Sequence, residues 1–217
     1  ERELTVMLVI DVSGSLDFGT AGQLKRECVT EIAATLAFSA IQNNDKIGII
    51  FFSDHVEKYI PPKKGRKHIL YLIREMLTFT PNSKKTDVGV GLEYLNKVVK
   101  RRCTAFVISD FYTRKDFSQE LRITNRKHDV VAIQVYDPRA KVMPDVGLLK
   151  VIDAETGHEM YVDTHDIRVR KAHNTYWEER EQRLHDTLTQ SHVDSVAIAT
   201  NDDYVKMLIT LFLKRRR

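Results

Sequence analysis

The sequence predicts an α/β fold in which helices cover both faces of a doubly wound, mostly parallel central sheet, with a small hairpin at one edge. Uncharged apolar runs alternate along the chain with stretches of helical periodicity, which is typical of parallel sheets. The runs are apolar at nearly every position, as expected for strands buried on both sides. With 217 residues, 42% hydrophobic and 29% charged, the composition is that of an ordinary globular chain.

The first half of the chain supplies three predicted strands and two predicted helices. They are strands at 4–10, 46–53 and 56–60 and helices at 23–43 and 66–77. The first helix has apolar residues four positions apart, which places them on one buried face. The strand at 56–60 carries Glu57 and Lys58, which suits an edge position, and Pro61-Pro62 is expected to end it.

The second half continues the alternation. Its elements are helices at 87–99, 116–124 and 166–190, strands at 104–108, 130–136 and 193–199, and a final helix after residue 203. Residues 147–162 predict a hairpin that is a candidate to extend the sheet at one edge. The charged helix is expected to bury Ala172, Tyr176, Leu184 and Leu188. Without a repeat or a Pro/Gly/Ser-rich linker, we expect one domain over residues 1–217. The opening Glu1 predicts a fragment that lacks an upstream segment.

Oxygen-bearing side chains cluster where the first predicted strand ends. The sequence Asp11-Val12-Ser13-Gly14-Ser15 follows the apolar run directly, and in open α/β sheets the carboxyl ends of the strands form the ligand-binding edge. The side chains offered are one carboxylate and two hydroxyls, without sulfur or imidazole. Such donors suit Mg²⁺, Mn²⁺ or Ca²⁺.

Two later segments can complete the same site. Thr86 precedes the helix at 87–99, and Asp110 follows the strand at 104–108. The alternative interpretation is that Ser13 and Ser15 only cap a helix and Asp110 only caps a turn. Capping uses these residue types, but it does not require three such ends to converge.

Together these residues resemble a known binding motif. Asp11, Ser13, Ser15, Thr86 and Asp110 match a metal-ion-dependent adhesion site, and the chain resembles the von Willebrand factor A family at this point. Residues 129–138, 144–149, 153–157 and 199–204 are similar to its bacterial branch, the domain-of-unknown-function family 58. This resemblance spans essentially the whole chain. It implies a Rossmann-like fold, a metal-dependent binding surface and an association with MoxR-type AAA+ ATPases.

The resemblance also implies a role for each donor. Ser13 and Ser15 bind the ion directly, Asp11 and Asp110 hold it partly through water, and Thr86 binds it directly or through water. Neutral hydroxyl ligands leave the ion electrophilic, so it can take a further carboxylate from a partner's Asp or Glu.

Four neighbouring residues have expected supporting roles. Gly14 allows a tight turn between the serines, and Asp87 either hydrogen-bonds the first loop or caps its own helix. Phe111 and Tyr112 either form an apolar rim for the partner or pack inside.

The predicted function is a metal-dependent protein-interaction module that captures an acidic residue of a protein partner. The partner is expected to be a MoxR-type AAA+ ATPase or its client. A Mg²⁺-dependent phosphoryl-transfer enzyme is disfavoured, because such sites need a second acid two residues after the first, and here that position is Ser13. There is no glycine-rich phosphate loop, and the eight histidines are scattered. We therefore expect no catalysis.

Charge and cysteine usage give weaker indications. The net charge is +4, with basic runs at 63–67, 100–102 and 214–217. A nucleic-acid-binding surface is the alternative that these runs raise, but solvated surface and helix ends are the favoured explanation, and we expect no nucleic-acid partner. Cys28 and Cys103 form no disulfide framework, which favours a reducing, cytoplasmic compartment. No apolar stretch is long enough to span a membrane.

Overall fold

The computed structural model of the chain describes residues 3–20, 23–154 and 156–215. Its strands are β1 (Thr5–Asp11), β2 (Lys46–Phe52), β3 (Val56–Lys63), β4 (Thr104–Ser109), β5 (Asp129–Tyr136), β6 (Leu148–Ile152), β7 (Glu159–Asp163) and β8 (Asp194–Ala199). Its helices are α1 (Lys25–Gln42), α2 (Arg66–Thr78), α3 (Val88–Val98), α4 (Ser118–Lys127), α5 (Pro138–Lys141), α6 (Ile167–Gln190) and α7 (Tyr204–Arg215). A 3-10 turn at Gly14–Asp17 follows β1.

The central sheet has the strand order β3-β2-β1-β4-β5-β8. All neighbours are parallel except β2 and β3, which are antiparallel. Chain order runs outward from β1 in one direction and outward from β4 in the other, so the topology switches between these two strands. The predicted α/β fold with a doubly wound, mostly parallel sheet is therefore confirmed.

Helices cover both faces because alternate residues of the buried strands point to opposite sides. Leu8 and Ile10 of β1 lie in a core with α1, α2 and α7, whereas Met7 and Val9 lie in a second core with α3, α4 and α6. Both cysteines are free thiols buried in these cores. No helix among the described residues is both long and apolar enough to cross a bilayer.

The edge strand β3 is longer than the sequence suggests. It runs through Pro61 and Pro62 to Lys63, so the prediction that the prolines end it is wrong. The register slips by a residue between the pairs Ile49–Ile60 and Ile47–Lys63. A bulge at an edge strand tolerates residues that have no N–H to donate.

Two predictions about the second half also need correction. The hairpin β6–β7 forms a separate two-stranded sheet rather than an edge of the central one, and Glu155 in its turn lies outside the described residues, as do Arg216 and Arg217 of the last basic run. Helix α6 buries only Leu188 fully, and Ala172 and Tyr176 are exposed. Its charged faces keep most of the helix in solvent.

Candidate metal centre

The switch of topology between β1 and β4 brings together the two predicted site segments that follow these strands. Because β1 and β4 are parallel neighbours with Ile10 opposite Ile108, Asp11 and Asp110 emerge at the same edge of the sheet. Asp11 is 1% exposed and Asp110 4%. The Asp11 carboxylate accepts hydrogen bonds from the Ser13 N–H at 2.8 Å and the Ser109 hydroxyl at 2.5 Å. Internal donors therefore hold this carboxylate in place.

Three hydroxyls meet beside Asp11. The Ser13 and Ser15 oxygens are 3.0 Å apart, and Thr86 donates to the Ser13 oxygen at 2.8 Å. All three residues are buried. The Gly14 N–H donates to the Lys84 carbonyl at 3.0 Å, which joins the two loops. The structure thus brings these predicted donors into direct contact from separate parts of the chain.

Lys25 is a functional neighbour that the sequence did not reveal. It is the first residue of α1, and its ammonium lies 2.5 Å from one carboxylate oxygen of Asp110. The other Asp110 oxygen accepts the Tyr112 N–H at 2.9 Å. A lysine is usually solvated, and a helix N-terminus disfavours a cation. In the sequence, this unfavourable position is the feature that indicates a specific partner for Lys25.

The two carboxylates differ in their electrostatics. Burial, together with the nearby charge of Asp110, raises the pKa of Asp11 to about 6. Burial also acts to raise the pKa of Asp110, but the charge and hydrogen bond of Lys25, together with the Tyr112 N–H and the charge of Arg180, hold that pKa below its ordinary value. Lys25 is paired with Asp110, whereas the contacts of Asp11 among the described residues are an N–H and a hydroxyl. A buried ionised carboxylate without a counter-charge of its own favours a bound cation.

The donor chemistry fits a hard divalent ion. No group of three His, Cys, Asp or Glu residues suited to a metal exists within the described chain, so any ion at this edge must use the hydroxyls. Ser13, Ser15 and Thr86 offer neutral oxygens, and Asp11 and Asp110 offer charge. Mg²⁺ and Mn²⁺ accept such a set, with water completing the coordination.

Gly14 has a different role from the one predicted. Its φ is not positive, so no special backbone conformation requires glycine there. A Cβ atom at this position would lie 2.7 Å from the Ala154 carbonyl oxygen and 2.9 Å from the Lys84 Cβ. Glycine is needed because the β6–β7 turn and the Lys84 segment pack closely on this loop.

Asp87 plays neither predicted role. Its side chain makes no capping hydrogen bond to α3. Its carboxylate instead binds the Lys115 ammonium at 2.6 Å, and its N–H donates to the Ser53 carbonyl at 2.9 Å. Asp87 therefore links the Thr86 segment to the β4–α4 loop (residues 110–117) rather than to the first loop.

Phe111 does not form the predicted rim. It is 4% exposed, its ring stacks on Phe117 with centroids 6.0 Å apart, and its φ of 53° turns the chain at the strand end. A left-handed φ is uncommon for a bulky residue and carries strain.

Tyr112 lies half-buried beside α6. Its hydroxyl is 3.2 Å from that of Tyr176, and the Arg180 guanidinium lies 4.6 Å from its ring centroid and 4.9 Å from that of Trp177. Arg180 also donates to the Asp110 carbonyl oxygen at 3.0 Å. Helix α6 is thus attached to the site by Arg180 and by the tyrosine pair, contacts that the sequence did not indicate.

The fold has known counterparts. The protein BatB from Bacteroides thetaiotaomicron aligns with a TM-score of 0.65 and 14% identity over 97% of this chain and 98% of that one. The VWA domain of SpRpn10 aligns with a TM-score of 0.50 and 12% identity over 98% and 95%. At these identities the likeness concerns the fold, which is that of a von Willebrand A-like domain.

The sequence comparison identifies the family. Residues 1–183 match the family described as Protein of unknown function DUF58, and the chain belongs to this family. Uncharacterised protein Rv1480 from Mycobacterium tuberculosis is 35% identical over 159 residues, 72% of this chain and 50% of that protein. The chain therefore spans about half the length of the curated relatives it matches.

Proposed function

We propose that this domain is a metal-dependent protein-interaction module. A divalent ion, Mg²⁺ or alternatively Mn²⁺ or Ca²⁺, binds at Asp11, Ser13, Ser15, Thr86 and Asp110 and captures an Asp or Glu carboxylate of a protein partner. The observation that carries the proposal is the contact between Ser13, Ser15 and Thr86 at 2.8–3.0 Å, beside two buried carboxylates. Buried hydroxyls beside two buried acids provide both neutral ligands and negative charge for a metal ion in one place.

Charge supports capture of a carboxylate. Asp11 and Asp110 contribute two negative charges, Lys25 contributes one positive charge and Arg180 lies nearby, so a divalent ion leaves the ionised site with a net positive charge. A partner's carboxylate would neutralise this remainder. A site with two free carboxylates would already be neutral and would attract a third acid less strongly.

We propose binding rather than catalysis. In the phosphoryl-transfer alternative, an acid two residues after Asp11 would protonate the leaving group. Ser13 occupies that position, and its hydroxyl is bonded to Ser15 and Thr86. An alcohol is too weak an acid for this task at neutral pH.

On the basis of the family resemblance, the partner we propose is a MoxR-type AAA+ ATPase or one of its clients. The two free cysteines favour the cytoplasm as the compartment. Purified tagged domain and the ATPase from the same organism should co-purify with Mg²⁺ and separate in EDTA. Co-purification that EDTA leaves unchanged would contradict capture through the ion.

Calorimetric titration of Mg²⁺ and Mn²⁺ into chelator-treated protein tests the ion site. The variant Thr86→Val removes one hydroxyl with little change in shape. Thr124→Val is the control, because Thr124 is also buried but its hydroxyl donates to the Glu120 carbonyl and accepts from Asn96, away from the site. Wild type and control should show saturable binding, and Thr86→Val should lose at least about tenfold in affinity.

The titration should be repeated with excess acetate, which stands in for the partner's carboxylate. Acetate should raise the affinity of wild type for Mg²⁺. Absence of binding under both conditions, or equal binding by Thr86→Val, would contradict the proposed site.

A further inference from the structure

We infer that the partner's binding segment is an acidic extended peptide, and that it lies in a basic groove between the β4–α4 loop and α6. The inference rests on the proposed function, since it describes how the segment beyond the captured carboxylate is held. The groove encloses about 750 Å³ and begins at Phe111 and Tyr112, directly after the metal-site residue Asp110. It adjoins the proposed metal site through Arg180, which lines the groove, lies over the Tyr112 ring and donates to the Asp110 carbonyl.

The two walls of the groove come from different elements. Residues 111–117 form one wall, and one face of α6 from Tyr176 to Gln190 forms the other. That part of the helix is about 20 Å long. About six residues of extended peptide cover this distance, so the groove matches a short linear segment rather than a folded domain.

The charges of the groove favour an acidic occupant. Four cationic side chains and two carboxylates line it: Arg114, Lys115, Arg180, Arg183, Asp116 and Asp186. Four of these groups already have partners within the domain: Lys115 binds the Asp87 carboxylate, Arg180 donates to the Asp110 carbonyl, Asp116 accepts from Ser118 and Asp186 accepts from Gln182. The cations exceed the carboxylates, and a complementary segment carries acids.

Two arginines remain for the partner. Arg114 on the loop wall and Arg183 on the helix wall are exposed, and neither guanidinium has a hydrogen bond or ion pair to any described residue. A guanidinium offers a planar fork that binds a carboxylate through two hydrogen bonds. One unpaired fork on each wall provides a second point of attachment beyond the metal.

The aromatic residues at the entrance are arranged for contact. Arg180 keeps the rings of Tyr112 and Trp177 in place, and Tyr176 is 44% exposed. Pre-ordered aromatic rings next to a charged anchor are typical of interface centres.

Selection of random peptides displayed on phage tests the groove without a known partner. Wild type is used with Mg²⁺ and with EDTA, in parallel with the double variant Arg114→Gln/Arg183→Gln. Arg74→Gln/Arg101→Gln is the matched control, because both arginines are exposed, lie outside the groove and remove the same charge. Thermal melts establish that all the variants fold.

Peptides enriched on wild type in Mg²⁺ should carry one acid in common and a second acid within about six residues. Their synthetic copies should bind the double variant about tenfold more weakly and the control equally well. Replacing the second acid by its amide should cause a similar loss in wild type, and the two losses should not add.

Several results would overturn the inference. The selection enriches no peptide on wild type, or the enriched peptides carry a single acid. The third such result is that the enriched peptides bind the double variant with unchanged affinity. Loss of binding to a single-stranded oligonucleotide in the double variant, with no acidic peptide enriched, would assign the groove to nucleic acid instead. A different result is that peptides with two acids need Arg114 and Arg183 for binding and yet bind wild type equally well in Mg²⁺ and in EDTA. That result would contradict metal capture but support the groove, so the two proposals fail in distinguishable ways.

Discussion

The ammonium of Lys25 lies 2.5 Å from a carboxylate oxygen of Asp110, and both side chains are more than nine-tenths buried. This ion pair joins the start of α1 to the end of β4 across the proposed metal site. Removing one member of a buried pair leaves an uncompensated charge, which is strongly destabilising. The lysine also shares its partner with any bound ion, so it affects stability and metal affinity in opposite directions.

Replacement of Lys25 by methionine tests this opposition. Without metal, Lys25→Met should lose about 3 kcal/mol of unfolding free energy, because Asp110 loses its counter-charge in a buried site. The same variant should bind Mg²⁺ more tightly than wild type, because the positive charge beside the ion is gone. Urea unfolding with and without Mg²⁺ measures both effects.

Lys25→Arg is the matched control, because it keeps the cation. It should resemble wild type in Mg²⁺ affinity, although its larger head group will reduce stability. Equal Mg²⁺ affinity in Lys25→Met and wild type would show that the lysine and the ion do not interact.

Asp11 should reduce the stability of the metal-free domain at neutral pH. Its folded pKa of about 6 lies above the ordinary 3.8, so between these values the folded state binds more protons than the unfolded state. The contribution of Asp11 to the free energy of unfolding therefore falls by up to about 3 kcal/mol as the pH rises from about 4 to about 6.

The variant Asp11→Asn cannot ionise and should escape this loss. Relative to wild type, it should become more stable by about 2 kcal/mol between about pH 4.5 and about pH 8 without metal. Mg²⁺ should stabilise wild type but not the variant. A stability difference between the two proteins that stays constant with pH would refute the raised pKa.

The strands and most of the candidate site were predictable from sequence for physical reasons. Strands buried on both faces exclude charge, so β1, β2, β4 and β5 appear as uncharged runs. Parallel strands end at one edge of the sheet, and Asp11 and Asp110 therefore meet there without any knowledge of side-chain packing.

What could not be predicted depends on long-range packing. Lys25 contacts Asp110 across 85 positions of sequence, and the Phe111 ring packs on Phe117 at a strand end whose φ is left-handed. Glycine is needed at position 14 because Ala154, which belongs to a turn far away in the sequence, lies against this loop. None of these contacts produces a local sequence pattern. Hydrophobic periodicity indicates which face of a helix or strand is buried, but not which residue lies opposite it.

Arg180 should position both α6 and the aromatic entrance of the groove. Its replacement by methionine removes the hydrogen bond to the Asp110 carbonyl and the cation between the Tyr112 and Trp177 rings. We expect a loss of about 2 kcal/mol in unfolding free energy.

Trp177 is the only tryptophan in the chain, so its fluorescence reports on this contact directly. Quenching by acrylamide should increase in Arg180→Met and stay unchanged in Arg183→Met, the matched control on the same helix. Equal quenching in the two variants would mean that Arg180 does not order the rings.

His128 should make the domain sensitive to mild acid. The ring is completely buried, and its Nδ1 accepts the Cys103 N–H at 3.3 Å, so the proton resides on Nε2. Burial, with smaller contributions from Lys127 and Arg102, lowers the pKa of His128 to about 4 from the ordinary 6.5. Protonation of Nδ1 would remove the acceptor and place a charge in the core.

The sign of the effect follows from which state binds the proton. Between about pH 6.5 and about pH 4 the unfolded chain protonates His128 and the folded domain does not, so stability is complete above this window and falls as the pH decreases through it. His128→Asn keeps an acceptor near the Nδ1 position but does not titrate. Urea unfolding should show wild type losing about 2 kcal/mol more than His128→Asn between about pH 7 and about pH 5. Parallel pH profiles of the two proteins would mean that another group is responsible for any sensitivity to acid.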